Sequence, residues 1–455
     1  MEAILKTLRE ALGDAAVLVG EDVRARPVSR IVQSGCAAGA LVRPASTEEV
    51  ALVMRLCHAA GQPVVPRAGM TGLVGGALAG PGEIALSLER MNRIEEIDPV
   101  SQTMTVQAGT PLQAIQEAAA AQGLLFPLDL GARGSATIGG NIATNAGGNK
   151  VLRFGMTRDM VLGLEAVLPN GETVSSMFKI IKNNTGLDIK QLFIGTEGTL
   201  GVVTRAVLQL QPQPRTRQTV LGAFRDFASV ASMLERMRAA SGGTLSSFEI
   251  MWRDYYLLLT APGRRPPPLP QEHPFYALIE CEGADEEADT ARFHAVLEEC
   301  LESGLMVDAV VAQSEAERID LWRIRDDVHY LRTLNPLFVF DVSLPIPEMT
   351  AYVDTLRAAL ERRWGQVTLI SYGHLGDGNL HIAVSCGSTV DKAEIEQLVY
   401  APLRAFRGSV SAEHGIGVDK KKYLDYTRTV QEIAVMRAVK ATLDPKNILN
   451  PGKIC

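Results

Sequence analysis

Apolar positions recur at two spacings along this chain, and the switches between them mark its elements. At the start, Ile4, Leu5, Leu8 and Leu12 follow helical spacing, with Glu2, Lys6, Arg9 and Glu10 among them. Ser46-Thr47-Glu48-Glu49 is a capping box that opens a predicted helix over 50–60, and Gly61 stops it. The short apolar run at 63–66 then reads as a buried strand leading into a glycine-rich loop. Helical spacing returns over 111–122 and strand spacing over 161–170. Alternation of this kind predicts an α+β domain with a mixed sheet.

The pattern changes near Gln211-Pro212-Gln213-Pro214. From Thr219 onward it reads strand, helix over 227–240, strand and helix again, with longer elements and fewer glycines. A first domain is therefore expected over 1–214 and a second over 215–425, with a C-terminal segment over 426–455 built on a helix at 429–441. Six prolines between Thr260 and Pro274 mark an exposed loop in the second domain.

Glycine is concentrated rather than spread. Residues 61–82 hold seven, 131–155 seven more, and 195–201 three. Successive N–H groups in such loops form a concave nest for anions, and absent side chains let a phosphate reach the main chain. The spacing Gly69-x-x-Gly72-x-x-Gly75 after a strand fits that role, but it is neither the dinucleotide fingerprint nor a Walker A loop. Glycines that only make turns account for any one cluster. They account less well for the Ser, Thr and Asn residues recurring among all three, which point to a long, polyphosphorylated ligand.

Far downstream, Gly373-His374-Leu375-Gly376-Asp377-Gly378-Asn379-Leu380-His381 joins two strand-like runs through residues that tolerate positive φ. A hairpin turning on 376–379 pairs Leu375 with Leu380 and sets His374 opposite His381. Directly opposed Cβ atoms lie about 4.5–5.5 Å apart, close enough for two imidazoles to share a cation. Glu413, in Ser411-Ala412-Glu413-His414-Gly415, would complete a two-His, one-carboxylate set with open coordination positions. The competing reading is a pair of hydrogen-bonded histidines beside a turn.

A net charge of −7 and the lack of a Lys/Arg run argue against a nucleic-acid partner. Six cysteines without a Cys-x-x-Cys pair read as reduced thiols. With no membrane-spanning apolar stretch, the expectation is a cytoplasmic protein, free or docked peripherally at the membrane.

Several of these segments carry a resemblance. Pro66-Arg67-Ala68-Gly69-Met70-Thr71-Gly72, the runs 127–155, 195–204 and 374–381, the stretch 413–417 and Asn450-Pro451-Gly452-Lys453 together resemble the FAD-linked oxidoreductases of the vanillyl-alcohol oxidase (PCMH-type) superfamily. The branch is that of D-lactate dehydrogenase, D-2-hydroxyglutarate dehydrogenase and the glycolate-oxidase-type flavoproteins. The resemblance spans nearly the whole chain and keeps the family's motif order. It implies an FAD-binding domain of two subdomains, a substrate (cap) domain on an antiparallel sheet, and a C-terminal segment returning to the flavin.

By that resemblance, Pro66, Arg67, Ala68, Gly69, Met70, Thr71, Gly72, Leu73 and Gly75 contact FAD. So do Asp129, Gly134, Ser135, Thr137, Ile138, Gly139, Gly140, Asn145, Gly147, Gly148 and Gly155. Glu197, Gly198, Gly201, Val202, Val203 and Asn450 complete the set. Where relatives with covalent flavin carry His in the first loop, this chain has Met70 and Thr71, so FAD is expected to be non-covalent.

The implied reaction oxidises a D-2-hydroxy acid, with hydride passing to the flavin and electrons onward to a quinone, a cytochrome or an electron-transfer flavoprotein. A divalent metal, zinc or manganese, on His374, His381 and Glu413 would acidify the substrate hydroxyl, as coordination takes water from pKa 15.7 to about 7. His414 faces away from Glu413 if the segment is extended and is the candidate general base. Arg325 matches the family's arginine for the substrate carboxylate. Two polar anchors found in hydroxyglutarate-type enzymes are replaced here by an apolar group of Val339, Phe340 and Ala383, which favours a short or apolar side chain, as in lactate. His329, expected one helical turn after Arg325, is the residue placed to supply a substitute cation. The expected assembly is a homodimer. The alternatives are a D-2-hydroxyglutarate dehydrogenase, a glycolate-oxidase-type chain active only in a complex, and a non-enzymatic metal- or nucleotide-binding protein.

Overall fold

The structure, a computed structural model, describes residues 1–29, 35–387 and 391–455. Two compact units are present: Met1–Gly148, Gly155–Gln213 and Glu413–Cys455 make the first, Asn149–Phe154 and Pro214–Ala412 the second. This division differs from the sequence-based one in two places. Residues 149–154 leave the first unit because Lys150 Nζ ion-pairs with Glu282 Oε1 at 2.7 Å and Ser247 Oγ donates to Asn149 O at 2.7 Å. The chain rejoins the first unit at Glu413 rather than 426, because Glu197 Oε1 accepts from the N–H groups of Ile416 (2.7 Å) and Gly417 (3.1 Å).

Within the first unit, the helix Thr47–Ala60 starts at Ser46, whose Oγ accepts from Glu49 N–H. The Glu49 carboxylate reaches back to Ala45 N–H (2.7 Å) rather than to Ser46, so half of the expected capping box forms. Gly61 ends the helix at φ 65°. Its apolar stripe, Val50, Val53, Met54 and Cys57, is fully buried. The strand that follows, Val64–Arg67, pairs in parallel with Ile84–Ser87. Ala40–Val42 joins Ile84–Ser87 in parallel and Val17–Leu18 antiparallel, giving the mixed four-stranded sheet the pattern predicts. The C-terminal tail returns to this sheet, where Val64 N–H donates to Ile448 O and Asn450 N–H to Val64 O, each at 2.7 Å. A second sheet has five antiparallel strands, ordered Ile94–Asp98, Thr103–Gln107, Val202–Gln209, Val161–Val167 and Thr173–Ser176, and a short two-stranded one pairs Leu124–Leu125 with Gln211–Pro212.

The second unit is built on seven antiparallel strands. Their order is Asp308–Val311, Thr216–Phe224, Phe275–Gly283, Leu245–Trp252, Thr368–His374, Asn379–Ser385 and Phe338–Ser343. One sheet face is covered by the helices Arg253–Leu259 and Glu315–Asp326 through Tyr255, Tyr256, Leu259, Leu321, Trp322 and Ile324. That face also carries buried carboxylates, each placed by strand alternation and each paired. Glu280 Oε2 accepts from Thr219 Oγ1 (2.9 Å), Arg318 Nη1 (3.0 Å) and Trp322 Nε1 (2.7 Å), fastening the helix Glu315–Asp326 to the sheet.

Removing Glu280 leaves the buried Trp322 N–H and Thr219 hydroxyl without their acceptor, while Arg318 keeps Glu315 at 2.7 and 2.8 Å. All three tryptophans of the chain, Trp252, Trp322 and Trp364, lie in the second unit, so their fluorescence follows its unfolding. Glu280→Ala is expected to lower the denaturant midpoint read by tryptophan fluorescence by an amount corresponding to a loss of about 1–3 kcal/mol.

Candidate active site

In the first unit the glycine-rich loops meet one another at main-chain distance. A Cβ added to Gly69 would lie 2.0 Å from Ser135 O, and one on Gly148 would lie 1.9 Å from Asp129 O. These glycines are required by loop-to-loop packing. Gly72, by contrast, faces open space. The N–H groups from Gly69 to Gly76 donate to no acceptor among the described residues. Eight free donors in one loop are a ready anion nest. Thr137 Oγ1, Asn141 Oδ1 and Asn450 Oδ1 are buried without a hydrogen-bond partner. Free donors and orphaned buried acceptors within one unit suit a ligand that carries both phosphate and a hydrogen-bonding ring, as FAD does.

Several residues expected at the cofactor have other tasks for their side chains. The Arg67 guanidinium is bonded to Pro27 O, to Cys36 Sγ at 2.9 Å and to Met70 Sδ at 3.3 Å. Asp129 pairs with Arg133 at 2.8 Å, and Asn145 Oδ1 accepts from Arg158 N–H at 2.9 Å. Glu197 is held at φ 50° and acts as a clasp for the returning segment. Burial pushes its carboxyl up, although the Ile416 and Gly417 N–H groups oppose that shift. Asn450 Nδ2 donates to Gly76 O (3.1 Å) and Glu197 O (2.7 Å), tying the first loop to the third.

In the second unit the hairpin register differs from the sequence-based expectation. His374 pairs with Asn379, and His381 with Tyr372. The loop begins earlier than expected: Leu375–Asp377 forms a tight helical turn, and Gly378 sits at φ 83°. The two-residue shift keeps both histidines on one face, where a one-residue slip would have separated them. They are diagonal neighbours, with ring centroids 5.3 Å apart in an edge-to-face arrangement.

Beneath them lies a group that the sequence analysis missed. Glu249, 1 % exposed, accepts from Arg325 Nε at 2.8 Å through Oε2, and its Oε1 lies 2.8 Å from His374 Nδ1. Burial pushes the Glu249 carboxyl up, but His374 and Arg325 prevail and hold it below the usual value. Burial likewise works against a charged Arg325, and Glu249 overrides it. The signal was present in the sequence as one acid within the apolar strand Leu245–Trp252. Asp341, fully buried in Phe338–Ser343, is a second such acid. Its Oδ1 accepts from Asn379 Nδ2 at 2.7 Å and lies 3.7 Å from His381 Nδ1, while Oδ2 accepts from Ala412 N–H at 3.1 Å.

Four expectations are corrected. Arg325 is 4 % exposed and does not present an open fork. Nε is on Glu249 and Nη2 lies 3.3 Å from His374 Nε2, while Nη1 alone has no hydrogen-bond partner among the described residues. His329 is not one turn along the same helix, which ends at Asp326; it is exposed and stacks on Tyr330. Phe340, grouped with Val339 and Ala383, faces the opposite side by strand alternation and packs on Tyr400. The stretch at 412–414 is bent rather than extended, so alternation does not set Glu413 and His414 on opposite sides. Val339 and Ala383 are cross-strand partners on the histidine face, Val339 being 51 % exposed.

Two family models match the chain: an FAD binding domain over residues 38–176, and the C-terminal domain of FAD linked oxidases over residues 213–454. Among curated proteins, a D-2-hydroxyglutarate dehydrogenase of Xanthomonas citri pv. viticola is 40% identical over 422 residues, covering 91% of this chain and 89% of that protein. The mitochondrial D-2-hydroxyglutarate dehydrogenase of Bos taurus is 41% identical over 417 residues, covering 91% and 76%. Among solved structures, alkyldihydroxyacetonephosphate synthase aligns with a TM-score of 0.78 at 18% identity, covering 99% of this chain and 84% of that one. p-Cresol methylhydroxylase aligns with a TM-score of 0.77 at 17% identity, covering 100% and 96%. These two structures share the fold.

The packing of the loops generates a paired prediction. Overpacking a tight contact typically costs about 1–3 kcal/mol, whereas an unobstructed surface change stays within about 0.5 kcal/mol. By calorimetry of the flavin-free protein, Gly69→Ala is expected to lower the melting temperature of the first unit, and Gly72→Ala to leave it nearly unchanged.

Proposed function

The chain belongs to the FAD-linked oxidases, and on that premise we propose that it is an FAD-dependent dehydrogenase converting a D-2-hydroxy acid to the 2-oxo acid. The observation that carries this reading is its likeness, at about two-fifths identity over nine-tenths of the chain, to proteins named D-2-hydroxyglutarate dehydrogenase. The unengaged N–H groups from Gly69 to Gly76 and the orphaned acceptors of Thr137, Asn141 and Asn450 support non-covalent FAD. FAD supplies a hydride acceptor when bound, and a divalent cation supplies a Lewis acid.

We assign the cation, zinc or manganese, to His374, His381 and Glu413. Support comes from the way the two histidines are held. With Nδ1 of His374 against the ionised Glu249, the ring turns Nε2 toward the position a cation would take, the arrangement that commonly orients metal-bound imidazoles, and a cation there would replace the 3.3 Å contact with Arg325 Nη2. Asp341 stands beside His381 Nδ1 in the same relation, at a longer 3.7 Å. Glu413 follows Ala412 in the chain, and the Ala412 N–H is bound to Asp341. His414 remains the proposed general base, taking the hydroxyl proton.

Arg325 is proposed to meet the substrate carboxylate through Nη1. A guanidinium corner without a hydrogen-bond partner among the described residues supports one charge-assisted contact rather than a bidentate clamp. Its orientation is fixed by Glu249, by the Tyr372 ring 4.9 Å beneath it, and by Tyr255 Oη bonded to its main-chain oxygen at 2.6 Å. The substrate's side chain would lie toward Val339 and Ala383, which offer no charge. A short or apolar side chain is therefore favoured. The relatives' names favour 2-hydroxyglutarate, and that is the second reading. Reduced flavin would pass its electrons to a quinone, a cytochrome or an electron-transfer flavoprotein.

Specificity constants with a dye acceptor separate the two substrate readings. An unpaired buried polar group costs about 1–3 kcal/mol, so D-lactate is expected to exceed D-2-hydroxyglutarate roughly tenfold or more in kcat/KM. The reverse order overturns the apolar-pocket reading and leaves the second one standing. Glu249→Gln is expected to weaken zinc affinity about 10–100-fold, measured by competition with a chromogenic chelator, with FAD content unchanged. Unaltered zinc affinity would remove Glu249 from the role proposed here.

A further inference from the structure

The first unit contains a polar cavity that shares only Asn450 with the proposed flavin cradle. It has a volume of about 130 Å³ and is lined by Thr199, Lys421, Lys440, Asn447, Asn450, Gly452, Lys453 and Cys455. The three ammonium groups are not equivalent. Lys440 Nζ is saturated, donating to Asp444 Oδ2 (2.5 Å), Leu449 O (2.7 Å) and Thr199 O (2.9 Å). Lys421 Nζ donates to Gly452 O (3.3 Å) and Cys455 O (3.0 Å), which leaves one N–H. Lys453 is 7 % exposed and has neither a hydrogen bond nor an ion pair among the described residues. Glu83 acts on it only through space and already caps Gly80 N–H at 2.6 Å.

The Lys453 ammonium retains solvent contact, has no acceptor among the described residues, and stands beside two other ammonium groups in the cavity wall. A bound anion would satisfy it. We propose that this cavity binds a small phosphate-class oxyanion, either free or carried as a phosphomonoester, with Lys453 as its main contact and Lys421 as the second. The site differs from the flavin cradle, whose donors are main-chain N–H groups from Gly69 to Gly76. It adjoins the cradle through Asn450, whose Nδ2 holds Gly76 O and Glu197 O. Occupancy would therefore stiffen the residue that links two of the flavin loops.

The test uses the FAD-loaded protein and isothermal titration calorimetry at constant ionic strength, with inorganic phosphate and glycerol 3-phosphate as separate ligands. One phosphate per chain is expected to bind the unmodified protein. Affinity should fall roughly tenfold or more in Lys453→Met, and less in Lys421→Met, with flavin content unchanged in both. Glycerol 3-phosphate binding as tightly as phosphate identifies a phosphomonoester site, and weaker binding a free-anion site. If Lys453→Met fails to fold, Lys421→Met, altered at a half-buried position, carries the comparison. Absent phosphate binding by the FAD-loaded protein, or equal binding by the lysine variants, overturns the proposal. Loss of FAD from Lys453→Met, with phosphate ignored by the unmodified protein, would assign the lysine to the flavin instead.

Discussion

A carboxylate buried in the middle of an antiparallel sheet is stable only if positive or donor groups surround it, and Glu249 meets that condition with Arg325 on one oxygen and His374 on the other. Much of the second unit's chemistry depends on this arrangement. Glu249 fixes the rotation of the His374 ring, and through Arg325 it ties a helix on the sheet face to the strand bearing that histidine. Arg325 is anchored again through its helix, since Trp322 and Arg318 are bonded to Glu280 two residues from Leu278, the cross-strand partner of Glu249. Buried ion pairs of this kind add little net stability compared with apolar packing, but they tolerate few alternative geometries. In this site they fix the orientation of the His374 ring and leave one guanidinium corner without a hydrogen-bond partner among the described residues.

The first unit solves a different problem with a different device. Its ligand requires main-chain donors, and main chain comes close to main chain only where side chains are absent. Gly69 and Gly148 meet backbone oxygens at distances that exclude any Cβ, while Gly72 is left facing open space. Glu197 then fastens the C-terminal segment to these loops through two main-chain N–H groups.

Elements governed by local rules were legible in the sequence. The helix start at Ser46 and the apolar stripe of Phe227–Ala240 lie where the pattern puts them. The histidine hairpin was legible to within two residues. Its type follows from Gly and Asn, but the register depends on which residue takes the positive φ, and Gly378 does so with Leu375–Asp377 coiled before it. Glu249 and Asp341 were not singled out, because an acid in an apolar strand acquires meaning only when its cross-strand partner is known. Those partners are His374 and His381. His329 was misjudged because the helix bearing Arg325 stops at Asp326.

The account as a whole rests on hydride leaving a D-2-hydroxy acid for a flavin held in the first unit. Anaerobic mixing of FAD- and zinc-loaded protein with one equivalent of each enantiomer of lactate and of 2-hydroxyglutarate, followed by absorbance, tests this directly. The account predicts that the oxidised flavin band bleaches in a single turnover with a D-enantiomer, does not bleach with its L-counterpart, and does not bleach after the metal is chelated. Flavin that stays oxidised with every hydroxy acid, or that bleaches equally with both enantiomers, would contradict it.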